Sequence, residues 1–268
     1  MTTDAMVHVY DLALLQLAAH YDLSKKSERA ASAKWLYDLY VKLVTQAVCP
    51  PVVLEFGAFS ARFSRRARLA LPEAQFHAIE ANRYNHERFR AEVEADGVAY
   101  HHLAIGGEVK DTVLKIARTR DGEPVEPTRG NNSLRVKALD IEYEDSPVRM
   151  VTVDHFARTA GIAGAPCVLW IDLEGCSFEA LQGAGETLEH ARMVFIEMED
   201  DAFWVGQALA PQVKRLLFDA GFMPVARDFE FNGQYNVIFA KPEAYRLPQT
   251  QHILARSLSA LGRGRREA

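Results

Sequence analysis

From residue 52 onward the chain repeats one unit: a short apolar run ending in an acid, a glycine or both, then a segment with the apolar spacing of a helix. VVLEFG (52–57), QFHAIEAN (75–82) and VAYHHLAIGG (98–107) are the first three runs, and ARFSRRARLAL and RYNHERFRAEVEADG lie between them. Strands that alternate with helices predict an α/β fold, a mostly parallel sheet covered by helices on both faces. Right-handed crossovers then bring the C-terminal strand ends to one edge. In open sheets of this kind the ligand sits at that edge, near the switch in strand order.

Two regions frame this core and one interrupts it. Residues 6–48 carry apolar residues three and four apart, the spacing of one helix face. Pro50 and Pro51 end that lead-in. Residues 111–153 break the alternation: DTVLKIAR and VRMVTV read as strands, and RDGEPVEPTRGNNS between them reads as a loop over the sheet edge. CVLWIDLEG, the helix SFEALQGA and ARMVFIEMED then resume the pattern. After the helix PQVKRLLFDAG, Asn232-Gly233 stands between two apolar runs, which predicts a hairpin on a two-residue type I′ turn. The expected division is a helical extension over 1–50, a main domain over 51–242 and a C-terminal helix or tail over 243–268.

Composition narrows the class. Of 268 residues, 49% are hydrophobic and 25% charged, and the net charge is −5, an ordinary globular balance that does not point to nucleic acid. The basic end GRGRREA reads as a solvated terminus. No apolar run approaches a membrane span, so no membrane partner is expected. Cys49, Cys167 and Cys176 have no zinc spacing, and Cys167 opens an apolar run as a small buried residue. This usage and the absence of a signal-peptide pattern suggest a cytoplasmic protein.

The stretch IDLEGCSFEALQGA (171–184) sets two carboxylates two residues apart at the end of an apolar run. Ionised carboxylates are costly to bury without partners. Asp172 and Glu174 therefore mark either a solvated strand end or a site that uses them. Two apart in an extended segment, they project to the same side. A purely structural role would be to favour the N-terminus of the following helix.

Taken in order, VLEFGAFSARFS, IEAN, NNSL, VTVDHF and IDLEGCSFEALQGA resemble the FkbM-type methyltransferases, over roughly residues 50–241. The resemblance implies a class I, Rossmann-like methyltransferase fold with a terminal antiparallel hairpin, and S-adenosyl-L-methionine as cofactor. It places Gly57, Ala58 and Phe59 in the first cofactor loop, where glycine lets backbone approach closely. Glu80 and Ala81 follow the second strand, Glu80 as acceptor for the ribose hydroxyls. Ala104 and Ile105 lie beside the adenine, and Glu55 and Asp172 are acceptors for the cofactor ammonium. Asn131, Asn132 and Ser133 approach from the inserted loop. Asp172, Glu174 and His155 are the candidate catalytic groups, since an attacking alcohol must lose its proton. Glu197 is the acid of IEMEDD expected to face the cleft. The acid pair could also hold a divalent cation such as Mg2+, which the sequence leaves open. Ala61, Phe59 and Trp170 depart from the family, which has glycine, asparagine and a basic residue there, and the loss of that last charge near the site is expected to alter acceptor choice.

The implied activity is O-methylation of a hydroxyl on a sugar, a glycan or a hydroxylated natural product. An N- or carboxyl-methyltransferase and a non-catalytic scaffold are the alternatives on the same fold. A dinucleotide dehydrogenase lacks the G-x-G-x-x-G it would need in the first loop. A small-molecule or glycan acceptor is the expected partner, and the apolar N-terminal helices would pack on their own domain or on a second copy in a homo-oligomer.

Overall fold

The computed structural model describes residues 3–128, 132–137 and 139–263, so Asn131 and the end of the basic tail lie outside the described residues. The first three apolar runs form β1 (Val52–Phe56), β2 (Gln75–Glu80) and β3 (Ala99–His102). The third run then breaks: Ala104–Ile105 is a separate strand, β4, in another sheet. β5 (Lys110–Arg120), β6 (Glu123–Pro124) and β7 (Ile141–Val151) follow. The chain returns to the main sheet with β8 (Cys167–Ile171), β9 (Ala191–Glu199), β10 (Met223–Arg227) and β11 (Gln234–Ala240). The main sheet has seven strands in the order β10-β11-β9-β8-β1-β2-β3. β11 runs antiparallel to both neighbours and the other pairings are parallel. This is the expected mostly parallel sheet with an antiparallel close.

β1 and β8 sit in the middle of the sheet with helices on both faces, so they read as continuous apolar runs. Alternation still sorts their side chains. Val52, Leu54 and Phe56 join the core beneath α5 (Val153–Thr159), α6 (Ser177–Gln182), α7 (Gly185–His190) and α8 (Ala210–Asp219). Val53 and Val168 join the opposite core, against α2 (Lys26–Leu43), α3 (Arg62–Arg68), α4 (Arg83–Ala95) and the last helix (Pro248–Arg263). The N-terminal helices divide between the faces. α1 (Thr3–Leu15) reaches α8 through Tyr10 against Phe218 and the Asp11–Lys214 ion pair at 2.7 Å, whereas α2 packs on the other side. No helix among the described residues is long and apolar enough to cross a membrane.

Two expectations change here. The stretch that interrupts the repeat folds, together with β4, into a second, four-stranded sheet, β4-β7-β5-β6, rather than a loop flanked by two short strands. β5 and β7 pair antiparallel over 11 residues each, and β7 starts at Ile141, well before VRMVTV. Its acidic first half is held by cross-strand pairs: Lys115 to Asp145 at 2.5 Å and Thr119 to Glu142 at 3.1 Å. The β10–β11 connection is not a two-residue type I′ turn, because Gly233 has φ 74° but Asn232 does not join it in the left-handed region. Asp228 closes a longer loop instead, its carboxylate accepting from the Asn236 backbone at 3.0 Å and from the Asn236 side chain at 2.9 Å.

Candidate functional site

The C-terminal ends of β1, β2 and β8 meet beneath a segment of the second sheet and enclose a cavity of about 290 Å³. Its floor is a close crossing of two chains. The Asp172 backbone N–H donates to the Phe56 carbonyl at 3.0 Å, carrying the β1–β8 ladder one step past the strands. A Cβ on Gly57 would lie 1.7 Å from the Asp172 carbonyl oxygen, and Gly57 has φ 73°. Glycine is therefore required at 57 by the neighbouring backbone, a firmer reason than approach to a ligand.

The loop that follows is fixed by Glu80. Its carboxylate accepts from the Phe59 backbone N–H at 2.7 Å and from the Asn82 backbone N–H at 2.8 Å. Phe59 has φ 48° and Ala61 φ 52°, the left-handed region that favours glycine and asparagine. The Glu80 bond and a Tyr100 hydroxyl donating to the Phe59 carbonyl hold the first of these turns. Strain of this kind persists where surrounding structure over-determines it. Burial pushes the Glu80 carboxyl up, against hydrogen bonds from Asn82, Phe59 and the Asn85 side chain. Asn85 lines the cavity as well, and its buried Oδ1 has no partner.

The walls are mostly apolar: Ile79, Leu103, Ala104 and Ile105 on one side, Leu114 and Leu134 on the other. Asn132 and Ser133 add polar atoms from the inserted segment. Ser133 Oγ donates to the Glu174 carbonyl at 2.6 Å, so this roof is tied to the loop after β8. The combination of apolar walls with a few convergent polar groups is the usual constitution of a small-molecule site.

Asp172 and Glu174 both line the cavity. The N-cap of the next helix is Cys176, which makes no side-chain capping hydrogen bond. Burial pushes the Asp172 carboxyl well above the usual range, and the charges of Glu174, Glu199, Glu55 and Glu80 push it further. Glu197 is raised by burial and by Asp172, and its Oε1 is buried without a partner, although it does not line the cavity. Glu199 rises to about 7, by burial first and Glu174 second. Lys137 is the counter-charge: burial lowers its pKa in spite of Glu174, Glu197 and Glu199, and its Nζ lies 4.3 Å from the centre of the Trp204 ring. Among the described residues no group of three or more His, Cys, Asp or Glu side chains is disposed to hold a metal ion, so Mg2+ finds no ligand set here.

Of the expected site residues, Gly57, Phe59, Glu80, Ala81, Ala104, Ile105, Asp172 and Glu174 all line this one cavity. Three do not. Glu55 lies on the Val53 face of β1, 3% exposed, and its carboxylate accepts from the Ser64 backbone N–H at 2.8 Å and the Phe63 backbone N–H at 3.4 Å at the start of α3. Strand alternation carries it away from the cavity. Ala58 is buried behind that loop, its N–H donating to the Ile79 carbonyl at 3.0 Å. His155 belongs to α5, where its backbone N–H donates to the Thr152 side chain at 3.1 Å and the adjacent Phe156 packs on His77 and His101. Trp170 also points elsewhere: it stacks on Phe195 at 3.7 Å within the α2–α3 core, so the charge absent at 170 is not missing from the cavity. Sequence reasoning missed Asn85, Leu114 and Cys176. A hydrophilic helix residue, a residue in an inserted strand and a buried cysteine carry no local signal of a shared cavity.

A family model for the methyltransferase FkbM domain matches residues 52–224. Among solved structures, methyltransferase FkbM from Methylobacillus flagellatus KT is similar at 11% identity with a TM-score of 0.44, over 72% of this chain and 44% of that one. This chain thus spans less than half the length of that protein. An O-methyltransferase family protein from Burkholderia thailandensis is similar at 11% identity and a TM-score of 0.39, covering 77% of this chain and 56% of the other. Precorrin-6y C5,15-methyltransferase from Geobacter metallireducens GS-15 follows at 14% identity and 0.37, over 70% and 78%. A search of curated proteins finds no match.

Proposed function

The chain belongs to the FkbM methyltransferase family, and from that premise we propose that the cavity binds S-adenosyl-L-methionine and that the protein O-methylates a hydroxyl on a sugar, a glycan or a hydroxylated natural product. The observation that carries the cofactor reading is the pairing of Glu80 with Asn85. Two backbone N–H groups and the Asn85 side chain hold the Glu80 carboxylate in place, and a carboxylate has about four lone-pair positions, so about one stays available to a hydroxyl donor. Asn85 Oδ1 is a buried acceptor on the same wall without a donor. An orphaned acceptor at such a wall suits a ligand that brings hydroxyl or amine hydrogens.

The residues fit the cofactor in kind. Glu80 and Asn85 would accept from the ribose, Ala104, Ile105 and Leu134 would flank the adenine, and Asp172 or Glu174 would accept from the ammonium. When bound, the cofactor supplies a methyl group on a cationic sulfur. Asp172 is the chain's best-matched base. A carboxyl raised toward neutrality can take a proton from an acceptor hydroxyl and still be partly ionised near neutral pH. The neighbouring charge of Glu174 raises the Asp172 carboxyl further and so favours its protonated form at rest.

Calorimetric titration with S-adenosylhomocysteine tests the cofactor reading. The wild-type protein should bind, and Glu80→Ala should bind roughly tenfold or more weakly, because hydrogen bonds to a charged acceptor are worth about 1.5–3 kcal/mol each. No binding to folded wild-type protein would reject it. The mass and fragmentation of the methylated product identify the acceptor atom, and an N-methyl product would reject the O-methyl assignment.

A further inference from the structure

Arg135 follows directly on Ser133 and Leu134, two residues of the cavity roof. Its guanidinium reaches three separate parts of the chain. Nε donates to the Gly175 carbonyl at 3.0 Å, one Nη donates to the Val205 carbonyl at 3.1 Å, and the other pairs with the Glu179 carboxylate. The side chain is 20% exposed, so these bonds are partly shielded from water. Its backbone N–H donates to Ser133 Oγ at 3.1 Å, and that hydroxyl donates on to the Glu174 carbonyl. Two successive carbonyls of the loop after β8, at 174 and 175, are therefore gripped from the inserted sheet.

The surrounding backbone is shaped to this contact. Gly206, at φ 73°, approaches so closely that a Cβ there would lie 3.2 Å from an Arg135 Nη. Gly175, at φ 75°, would place a Cβ 2.5 Å from the Trp204 ring, so the loop after β9 lies against the loop after β8. The Val205 N–H donates to the Val136 carbonyl at 2.8 Å and completes the junction. Each nitrogen of the guanidinium is committed to protein oxygen, which sets Arg135 apart from a cation that binds ligand.

We propose that Arg135 is a positioning residue that locks the inserted roof, the Asp172–Gly175 loop and the loop after β9 into one arrangement, and thereby fixes the carboxylates of Asp172 and Glu174 relative to the cofactor cavity. A planar fork can span three acceptors on three segments, whereas an ammonium is a point donor and would hold only part of the junction. The proposal rests on the cofactor reading given above.

The test is S-adenosylhomocysteine affinity by calorimetry, measured alongside the apo melting temperature for wild type, Arg135→Ala and Arg135→Lys. Arg135→Ala should bind about tenfold more weakly, since a loosened roof must be ordered again by the ligand, while its apo melting temperature falls only slightly. Millimolar guanidinium chloride, compared with the same concentration of sodium chloride, should restore part of that affinity in Arg135→Ala and none in Arg135→Lys. A general loss of stability would not respond to guanidinium in this way. Arg135→Lys keeps the charge and should show an intermediate loss, which preserves the test if the alanine variant fails to fold. Wild-type affinity in either folded variant overturns the positioning role. Absence of binding to the wild type overturns the cofactor reading itself and the positioning role with it.

Discussion

Glu55 sets a measurable pH dependence into the fold. Its carboxyl is 3% exposed and faces the start of α3, where the Ser64 and Phe63 backbone N–H groups donate to it. Those bonds favour the ionised form, but burial outweighs them and lifts the pKa from 4.5 to about 7. The folded protein thus holds this proton more tightly than the unfolded chain. Stability from this group is complete below the unfolded value and is lost as pH rises through the folded one. At about 1.4 kcal/mol per pH unit, ionisation between pH 5 and pH 8 removes roughly 2 to 3 kcal/mol. Glu55→Gln keeps an oxygen for the Ser64 N–H and cannot ionise. Exchanging one oxygen for an amide shifts the stability by a similar amount at either pH, so the informative quantity is the slope and not the absolute stability. Urea unfolding of both proteins at pH 5 and pH 8 should show the wild type losing about 2 to 3 kcal/mol more than the variant over that range. Equal losses would refute the reasoning and place the charged carboxylate within reach of water.

Two further substitutions probe the floor of the cavity. Gly57→Ala would place a methyl 1.7 Å from the Asp172 carbonyl oxygen, so the β1 and β8 loops must separate; the expected cost is about 4 kcal/mol or more with loss of S-adenosylhomocysteine binding, and a melting temperature equal to the wild type's would refute the close crossing. Asp172→Asn removes a carboxyl raised by burial and by four neighbouring acids; product formation on the identified acceptor should fall about 100-fold or more while the apo protein at pH 8 becomes no less stable, and unchanged turnover would refute the role as base.

The parts of the fold that were legible in the sequence are those in which one force dominates. β1 and β8 are buried along their whole length, and burial of that kind writes itself as VVLEF and CVLWI. The first half of β7, IEYEDSP from Ile141 to Pro147, was illegible because it is held by pairing with β5 and by charges such as Lys115 and Asp145, and neither leaves an apolar pattern. Asn232-Gly233 misled for a related reason: the local turn preference competes with Asp228, whose carboxylate binds Asn236 across the loop and fixes a longer connection.

The site divides along the same line. Gly57, Glu80, Asp172 and Glu174 stand at strand ends, where topology alone brings them to one edge, so reading the strands was enough to gather them. Glu55 was within reach of the same logic, since it alternates with Leu54 and Phe56 and must face the other core. Arg135 was not. Its three partners lie 40, 44 and 70 residues away, and their meeting depends on how the inserted sheet folds back over the loops after β8 and β9. A residue whose work consists of joining distant segments has no local pattern to announce it, because the information lies in the convergence of loops and not in the neighbours along the chain. The strand edge therefore supplies the acids and the floor of the cavity, while their arrangement relative to its roof is set by the part of the chain that interrupts the repeat.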